Sequence, residues 1–234
     1  MTYIFTRPKE NIKGLDELIG DVVYVPLFAY EKVDIDIHKL LHFKAYTLSS
    51  QEASRFVVKN KLPIDALYYC VGRQTAFPLV ENKYQNIVLS DQFNAQSLVH
   101  KIKCVHDPFI PLAYLSGEVI KLAMDKELSK KGFVCERFIV YQTKMLAFDF
   151  SIFEKKRGGY IVFYSIGTYE FFLEGVKALS LKKQSLFKNW TCIFVLSTLS
   201  KGGVFSNLYD IDWNKKIILK STHALVQYFK GVST

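Results

Sequence analysis

No two cysteines of this sequence form a C-x-x-C pair. Cys70, Cys104, Cys135 and Cys192 are far apart, which removes the usual thiol-based redox and metal motifs. Three fall in apolar, strand-like runs, and the four read as buried free thiols of a reduced, intracellular protein. No stretch approaches the roughly 18 uninterrupted apolar residues of a transmembrane helix. The opening MTYIFTRPKEN lacks the basic-then-apolar order of a signal peptide, so a cytoplasmic protein with no membrane partner is expected. His38 and His42 stand four apart, as paired zinc ligands can. Nothing like a third ligand or a glutamate base lies between them, and no metal is expected. Basic residues come in ones and twos, with Lys155-Lys156-Arg157 the longest run. There is no basic arm and no nucleic-acid fingerprint, so no nucleic-acid partner is expected. A receiver-type signalling domain needs clustered acidic residues at its strand ends, and these are missing too.

What is present is an ordinary globular composition. Half of the 234 residues are hydrophobic and 23% are charged, enough for one large domain or two small ones. The net charge of +9 suits an anionic partner.

The pattern alternates short apolar runs with helical periodicity. Tyr3–Phe5 reads as a strand closed by Thr6-Arg7-Pro8, Asn11–Ile19 as a helix, and Val22–Val25 as a second strand. Such a unit implies a parallel sheet with a right-handed crossover. Phe28–Ile37 reads as an extended connector. Ala45–Leu48 is a strand, and Ser49 with Glu52 fits a capping box for the helix that follows. Ala66–Val71 runs into Gly72-Arg73-Gln74-Thr75-Ala76 and another helix. Ile87–Leu89 is a strand, and Asn94 caps a helix to Ile102. Strand, capped helix and strand recur over 160–229, with Tyr160–Tyr164 ending at Ser165, Cys192–Leu196 ending near Ser197-Thr198, and Lys216–Leu219 ending at Ser221. Two copies, about 60 residues each, suggest two α/β lobes with mainly parallel sheets.

Residues 112–143 hold these series together. Leu112–Leu115 is a strand and Ser116-Gly117 a turn. Glu118–Lys131 is expected as a helix, with Ile120, Met124 and Leu128 on one stripe. Glu118 suits the positive end of its dipole, and Lys130 and Lys131 suit the negative end. Gly132 takes the C′ position, and Phe133–Thr143 is a strand ending in Tyr141-Gln142-Thr143. The turn at Ser116-Gly117 would offer backbone amides to an anion.

In parallel sheets ligands bind beyond the C-terminal ends of the strands. The residues there are Thr6, Arg7, Ser49, Gly72, Thr75, Ser116, Gly117, Ser165, Ser197 and Thr198. Apart from Arg7 they are small, hydroxylated or glycine, which suits carboxylates or phosphates. They include no nucleophile–base pair. Read from the residues alone, Tyr141 is one of 14 tyrosines, Thr75 and Ser49 are helix caps, Gly72 and Gly117 are turn glycines, and Arg7 belongs to a surface ion pair.

The order of motifs resembles the uroporphyrinogen-III synthase family. The resemblance rests on Phe5-Thr6-Arg7-Pro8, Val23-Tyr24-Val25-Pro26-Leu27 and Leu48-Ser49 with Ala53 and Phe56. It continues through Val71-Gly72-Arg73-Gln74-Thr75-Ala76, Asn94-Ala95-Gln96-Ser97-Leu98, and the run from Ser116-Gly117 to Val140-Tyr141-Gln142-Thr143. Two positions depart from the family pattern: Leu48 replaces a threonine, and Leu196-Ser197-Thr198-Leu199-Ser200 lacks the glycine of a second turn.

The resemblance implies two flavodoxin-like lobes joined by two extended connectors, with the active-site cleft between them. One lobe would be discontinuous (1–30 and 147–234), the other inserted (35–139), and the connectors would lie near 28–34 and 140–146. It implies a cofactor-free lyase that closes hydroxymethylbilane, a linear tetrapyrrole with carboxylates on every ring, with inversion of the last pyrrole and loss of water. Tyr141 would assist departure of the hydroxyl. Arg7, Ser49, Gly72, Arg73, Thr75, Ser116, Gly117, Ser165 and Thr198 would bind substrate. A monomer is expected. The alternative is a non-catalytic two-lobed protein that grips a polycarboxylate.

Overall fold

The computed structural model describes residues 1–7, 20–195 and 211–232. In chain order its strands are β1 (Thr2–Phe5), β2 (Asp21–Tyr24), β3 (Phe28–Lys32), β4 (Ala45–Leu48), β5 (Leu67–Cys70) and β6 (Ile87–Leu89). They continue with β7 (Leu112–Gly117), β8 (Cys135–Met145), β9 (Gly159–Phe163), β10 (Trp190–Val195) and β11 (Lys215–Leu219). The helices are α1 (His38–Leu41), α2 (Gln51–Lys59), α3 (Arg73–Glu81), α4 (Ala95–Val105), α5 (Met124–Ser129), α6 (Ser151–Lys155), α7 (Ile166–Lys177), α8 (Leu181–Gln184) and α9 (Thr222–Val232).

The chain divides into two compact units, Met1–Ala29 with Met145–Thr234, and Tyr30–Lys144. The first holds a five-stranded sheet in the order β11-β10-β9-β1-β2, and all four of its pairings are parallel. Strands β1, β9 and β10 are buried along their whole length, as expected when helices cover both faces of a parallel sheet. Helix α7 lays Tyr169, Phe172, Leu173 and Val176 on one face, against Ile4, Ile161, Phe163 and Phe194. Helix α9 lays Leu225 and Phe229 on the other, against Tyr3, Phe5, Val162 and Ile193.

The second unit holds a six-stranded sheet in the order β3-β8-β7-β4-β5-β6. The pairs β4–β5, β4–β7, β5–β6 and β7–β8 are parallel. Helices α2 and α3 cover one face through Ala53, Phe56, Val57, Ala76 and Leu79. Helices α4 and α5 cover the other through Leu98, Val99, Ile102, Met124 and Leu128. Each face thus buries its own apolar layer, and the two layers together make the doubly wound core. The triplets β4-β5-β6 and β9-β10-β11 each step outward through neighbouring strands, which is the geometric form of the repeat read from the sequence.

Several expectations need correction. The helix expected over Glu118–Lys131 is only Met124–Ser129. Strand β7 runs on through Gly117, and the Glu118 amide donates to the Tyr141 carbonyl at 3.0 Å, which continues the ladder instead of opening a helix. Ile120 and Leu122, which give the segment its helical spacing, pack on the α4–α5 layer from a loop, while Val119 is exposed. Ser116-Gly117 is therefore the end of a strand and not an anion-receiving turn. The cap of α2 is Ser50, whose hydroxyl accepts from the Ala53 amide at 3.1 Å, and not Ser49. The chain passes between its two units at Ala29–Tyr30 and Lys144–Met145, inside the segments 28–34 and 140–146, and much of both segments is extended as β3 and β8, adjacent strands of one sheet, with Glu31 bonded to Gln142 and Lys144. Cys104 is exposed on α4, unlike the buried Cys70 and Cys192. The helix expected at Asn11–Ile19 and the site residue Thr198 lie outside the described residues.

Candidate functional site

In each sheet the winding reverses beside one strand, and in open α/β sheets ligands bind beyond the strand ends at such a point. In the second unit the reversal falls between β4 and β7, whose partners lead outward to β5–β6 on one side and β8 on the other. Ser49 and Ser50 follow β4 there, and Ser116 and Gly117 end β7.

Tyr141 joins this group through an irregularity of β8. Ser116 is the partner of Ile139, but Gly117 is the partner of Tyr141, so Val140 is an extra residue. Side chains alternate along a strand, and one inserted residue exchanges the faces beyond it. Tyr141 consequently packs on the same α2-side layer as Val140 and Phe138. Its ring lies over Gly117 and meets Tyr30 edge-on, with centroids 5.2 Å apart at 81°. Burial pushes the phenol above its ordinary value and the charge of Glu52 adds to this, while hydrogen bonds from the Ser50 side chain and the Gly117 backbone act the other way. A phenol held in this way stays protonated at neutral pH and can donate its proton or a hydrogen bond.

On the opposite face of β7, Ser49 Oγ stands 3.3 Å from the Tyr114 hydroxyl. Ser116 is fully buried, and its hydroxyl is already committed: it donates to the Gly117 carbonyl at 3.0 Å and accepts from Arg137 Nε at 2.8 Å. It has no proton left to offer a ligand. Gly117, lying beneath the Tyr141 ring, is likewise part of the packing. These two residues are reassigned from ligand contact to support.

At the end of β5, beside β4, Gly72 precedes α3 in extended conformation and provides no side-chain cap. The first amides of that helix, from Arg73 onward, can therefore meet an anion. Arg73 is exposed and Thr75 is buried in the first turn. A side chain at Gly72 would press on Phe93, 3.3 Å from the added Cβ.

In the first unit the reversal falls between β1 and β9. Thr6 and Arg7 follow one strand, Tyr164 and Ser165 the other. Thr6 Oγ1 donates to the Val162 carbonyl at 2.7 Å and holds the β1 end in place. The Arg7 guanidinium lies over the Tyr164 ring, 4.4 Å from its centroid. The Tyr164 hydroxyl is buried without a hydrogen-bond partner among the described residues. Burial raises its pKa well above the ordinary phenol value, and the Arg7 charge opposes this. Ser165 caps α7 by accepting from the Thr168 amide at 3.2 Å, and its hydroxyl also meets that of Thr168.

Within the second unit, Ser49, Gly72, Thr75 and Tyr141 thus lie at or just beyond the ends of β4, β5 and β7, and within the first unit Arg7 and Ser165 lie just beyond β1 and β9. The sequence reading missed Ser50, Tyr114 and Arg137. The Ser49-Ser50 pair leaves the cap ambiguous by one position. Arg137 has a readable signal in its alternation with Ile139, although a lone arginine in a strand ordinarily reads as surface. Among the described residues no group of three or more His, Cys, Asp or Glu could hold a metal ion, and no helix is long and apolar enough to cross a membrane.

A search of curated proteins finds no match. Among solved structures, the chain is similar to a uroporphyrinogen-III synthetase from Helicobacter pylori. The identity is 14% and the TM-score 0.62, over 99% of this chain and 98% of that one. It is also similar to a mutant uroporphyrinogen III synthase from the extremely thermophilic bacterium Thermus thermophilus, at 16% identity and TM-score 0.50, over 99% and 98% of the two chains. At these identities the likeness is one of fold, two α/β lobes of flavodoxin-like type. The family model of uroporphyrinogen-III synthase HemD matches residues 10–195, well over half of the sequence, and the chain belongs to that family of tetrapyrrole-forming lyases.

Proposed function

We propose that this chain is a working uroporphyrinogen-III synthase, which closes hydroxymethylbilane with inversion of its last pyrrole ring and release of water. The observation that supports the reading is the Tyr141 phenol, kept protonated and packed over Gly117 at the end of β7, beside the point where the winding of the sheet reverses. The proton or hydrogen bond goes from this phenol to the hydroxyl of the terminal hydroxymethyl group. The C–O bond breaks, water departs, and an azafulvene-like cation remains. The substituted carbon of the last pyrrole attacks that cation, giving a spiro intermediate whose rearrangement inverts the ring, and the closed ring then releases a proton, which restores the phenol. No cofactor is required.

Closure without an enzyme gives the non-inverted isomer, so the protein has mainly to hold one conformation of a flexible polyanion. Backbone amides at the starts of α2, α3 and α7 would receive carboxylates, helped by Ser49, Thr75 and Ser165. Arg7 and Arg73 would add charge-assisted hydrogen bonds. Thr198 is proposed as a further contact from the sequence pattern alone.

Freshly made hydroxymethylbilane, incubated with the protein and resolved into product isomers, tests the reading. The inverted isomer should form faster than spontaneous closure. Only the non-inverted isomer, at the spontaneous rate, would overturn it and favour a non-catalytic polycarboxylate binder.

A further inference from the structure

Arg137 is a strand residue whose side chain turns along its own sheet. It is the partner of Tyr114 in the β7–β8 register, so its side chain shares the face of Tyr114 and Ser116 and is directed away from Tyr141. From there it reaches the last two residues of β7 and the residue that follows them. Nε donates to Ser116 Oγ at 2.8 Å, and Nη2 donates to the Gly117 carbonyl at 2.8 Å and the Glu118 carbonyl at 2.7 Å. The carbonyls of Gly117 and Glu118 point at the guanidinium when the chain departs from regular pairing at the extra residue Val140. The rigid fork of arginine holds both acceptors and the serine at once, which a point-charged lysine cannot do as well.

On the other side of the same strand, Gly117 has no side chain where the Tyr141 ring lies. A Cβ there would come within 2.7 Å of ring atoms Cε2 and Cζ and 2.9 Å of the hydroxyl oxygen. Real Cβ atoms do not approach that closely, so the ring of Tyr141 would have to leave its present place. The Glu118 amide holds the Tyr141 carbonyl at 3.0 Å. Main chain and side chain of Tyr141 are therefore both fixed against the two residues whose carbonyls Arg137 holds.

We propose that Arg137 and the bare Gly117 act as a pair of positioning residues that fix the Tyr141 hydroxyl, one clamping the end of β7 from behind and the other leaving the space the ring fills. The role in turnover rests on the reading that Tyr141 assists departure of the hydroxyl. The placement of the phenol does not rest on it, and the two are tested separately.

Gly117→Ala, Arg137→Gln and Arg137→Lys are made in the full chain, each alone and combined with Tyr141→Phe. Conversion of hydroxymethylbilane to the inverted isomer gives kcat and KM. Misplacing a reacting group by about 1 Å costs on the order of 100-fold. Gly117→Ala and Arg137→Gln should lower kcat by roughly 10- to 100-fold with KM changed by less than about twofold. Arg137→Lys should fall between Arg137→Gln and the parent. In the Tyr141→Phe background the same substitutions should cost almost nothing further. The phenol itself is read without turnover, as the alkaline absorbance difference between each protein and its Tyr141→Phe counterpart, and its midpoint should move in Gly117→Ala and Arg137→Gln. An unmoved midpoint, or equal losses of kcat with and without the Tyr141 hydroxyl, would overturn the proposal. A moved midpoint with Tyr141→Phe turning over at the parent rate would uphold the positioning and remove Tyr141 from the reaction. Should Gly117→Ala fail to fold, the two Arg137 variants carry the test.

Discussion

The guanidinium carbon of Arg7 sits 4.4 Å from the centroid of the Tyr164 ring, so the ring holds the cation at the β1 end. A charge-assisted hydrogen bond contributes about 1.5–3 kcal/mol, so Arg7→Ala should raise KM for hydroxymethylbilane by roughly 10- to 100-fold. Steady-state kinetics with isomer separation checks this. Tyr164→Phe should keep the cation over a ring and remove a buried hydroxyl that has no hydrogen-bond partner among the described residues. It is expected to raise the melting temperature, because an unpaired buried hydroxyl costs about 1–3 kcal/mol.

Neighbouring serines should behave differently. Ser50 caps α2, and its replacement by Ala should cost about 1 kcal/mol, or about 2–4 °C of melting temperature at this chain length. It should also lower kcat, since Ser50 hydrogen-bonds the Tyr141 phenol. Ser49→Ala leaves the cap intact and loses only the contact with Tyr114, so its melting shift should be smaller. Calorimetry of the two variants decides the matter. Equal shifts would mean that the cap has been misassigned.

Alkaline pH should unfold the protein earlier than acid-sensitive groups alone would suggest. Burial pushes Tyr46 and Tyr69 up to about 12 from 10.0, and Cys70 and Cys135 up to about 12 from 9.0. In each case the folded state binds the proton more tightly than the unfolded chain. The stability these groups contribute is fully present below the unfolded values of 9.0 and 10.0 and is lost as pH rises toward about 12. Urea midpoints should therefore hold steady from pH 7 to pH 8 and fall progressively above about pH 9. A flat profile to about pH 11 would count against the burial of these groups.

Thiol chemistry should single out Cys104. It is exposed, whereas Cys70 and Cys192 are buried, and burial raises the Cys135 thiol to about 12. An aromatic disulfide reagent at neutral pH should modify one thiol quickly in the folded protein and the other three only on unfolding. Cys104→Ser should abolish the fast phase.

Much of this architecture is legible in the sequence because its signals are local. The apolar runs at β4, β9 and β10 are continuous because helices cover both faces, and Asn94, Ser165 and Ser221 stand where caps are needed. Gly132 has φ +84 just after α5, as its place in the sequence suggests. The extent of α5 is not legible, because Ile120 and Leu122 need burial whether they sit on a helix or on a loop, and periodicity cannot separate the two. The commitment of the Glu118 amide to Tyr141 is a contact between residues far apart in sequence, and no local pattern announces it. The same holds for the extra residue Val140. Tyr141 stands out through the family pattern, but its dependence on Gly117 and Arg137 follows from strand register alone.

The order of the first sheet has a consequence for synthesis. Strand β1 lies between β2 and β9, with Thr2 pairing both Asp21 and Gly159. The whole of Tyr30–Lys144 is translated between those two partners. At roughly 5–20 residues per second, β1 waits on the order of 8–30 s with one edge unpaired while the inserted unit emerges complete. Nascent chains arrested before residue 159 should therefore offer the apolar edge of β1 to a chaperone, and full-length chains, in which β9, β10 and β11 complete the sheet, should not.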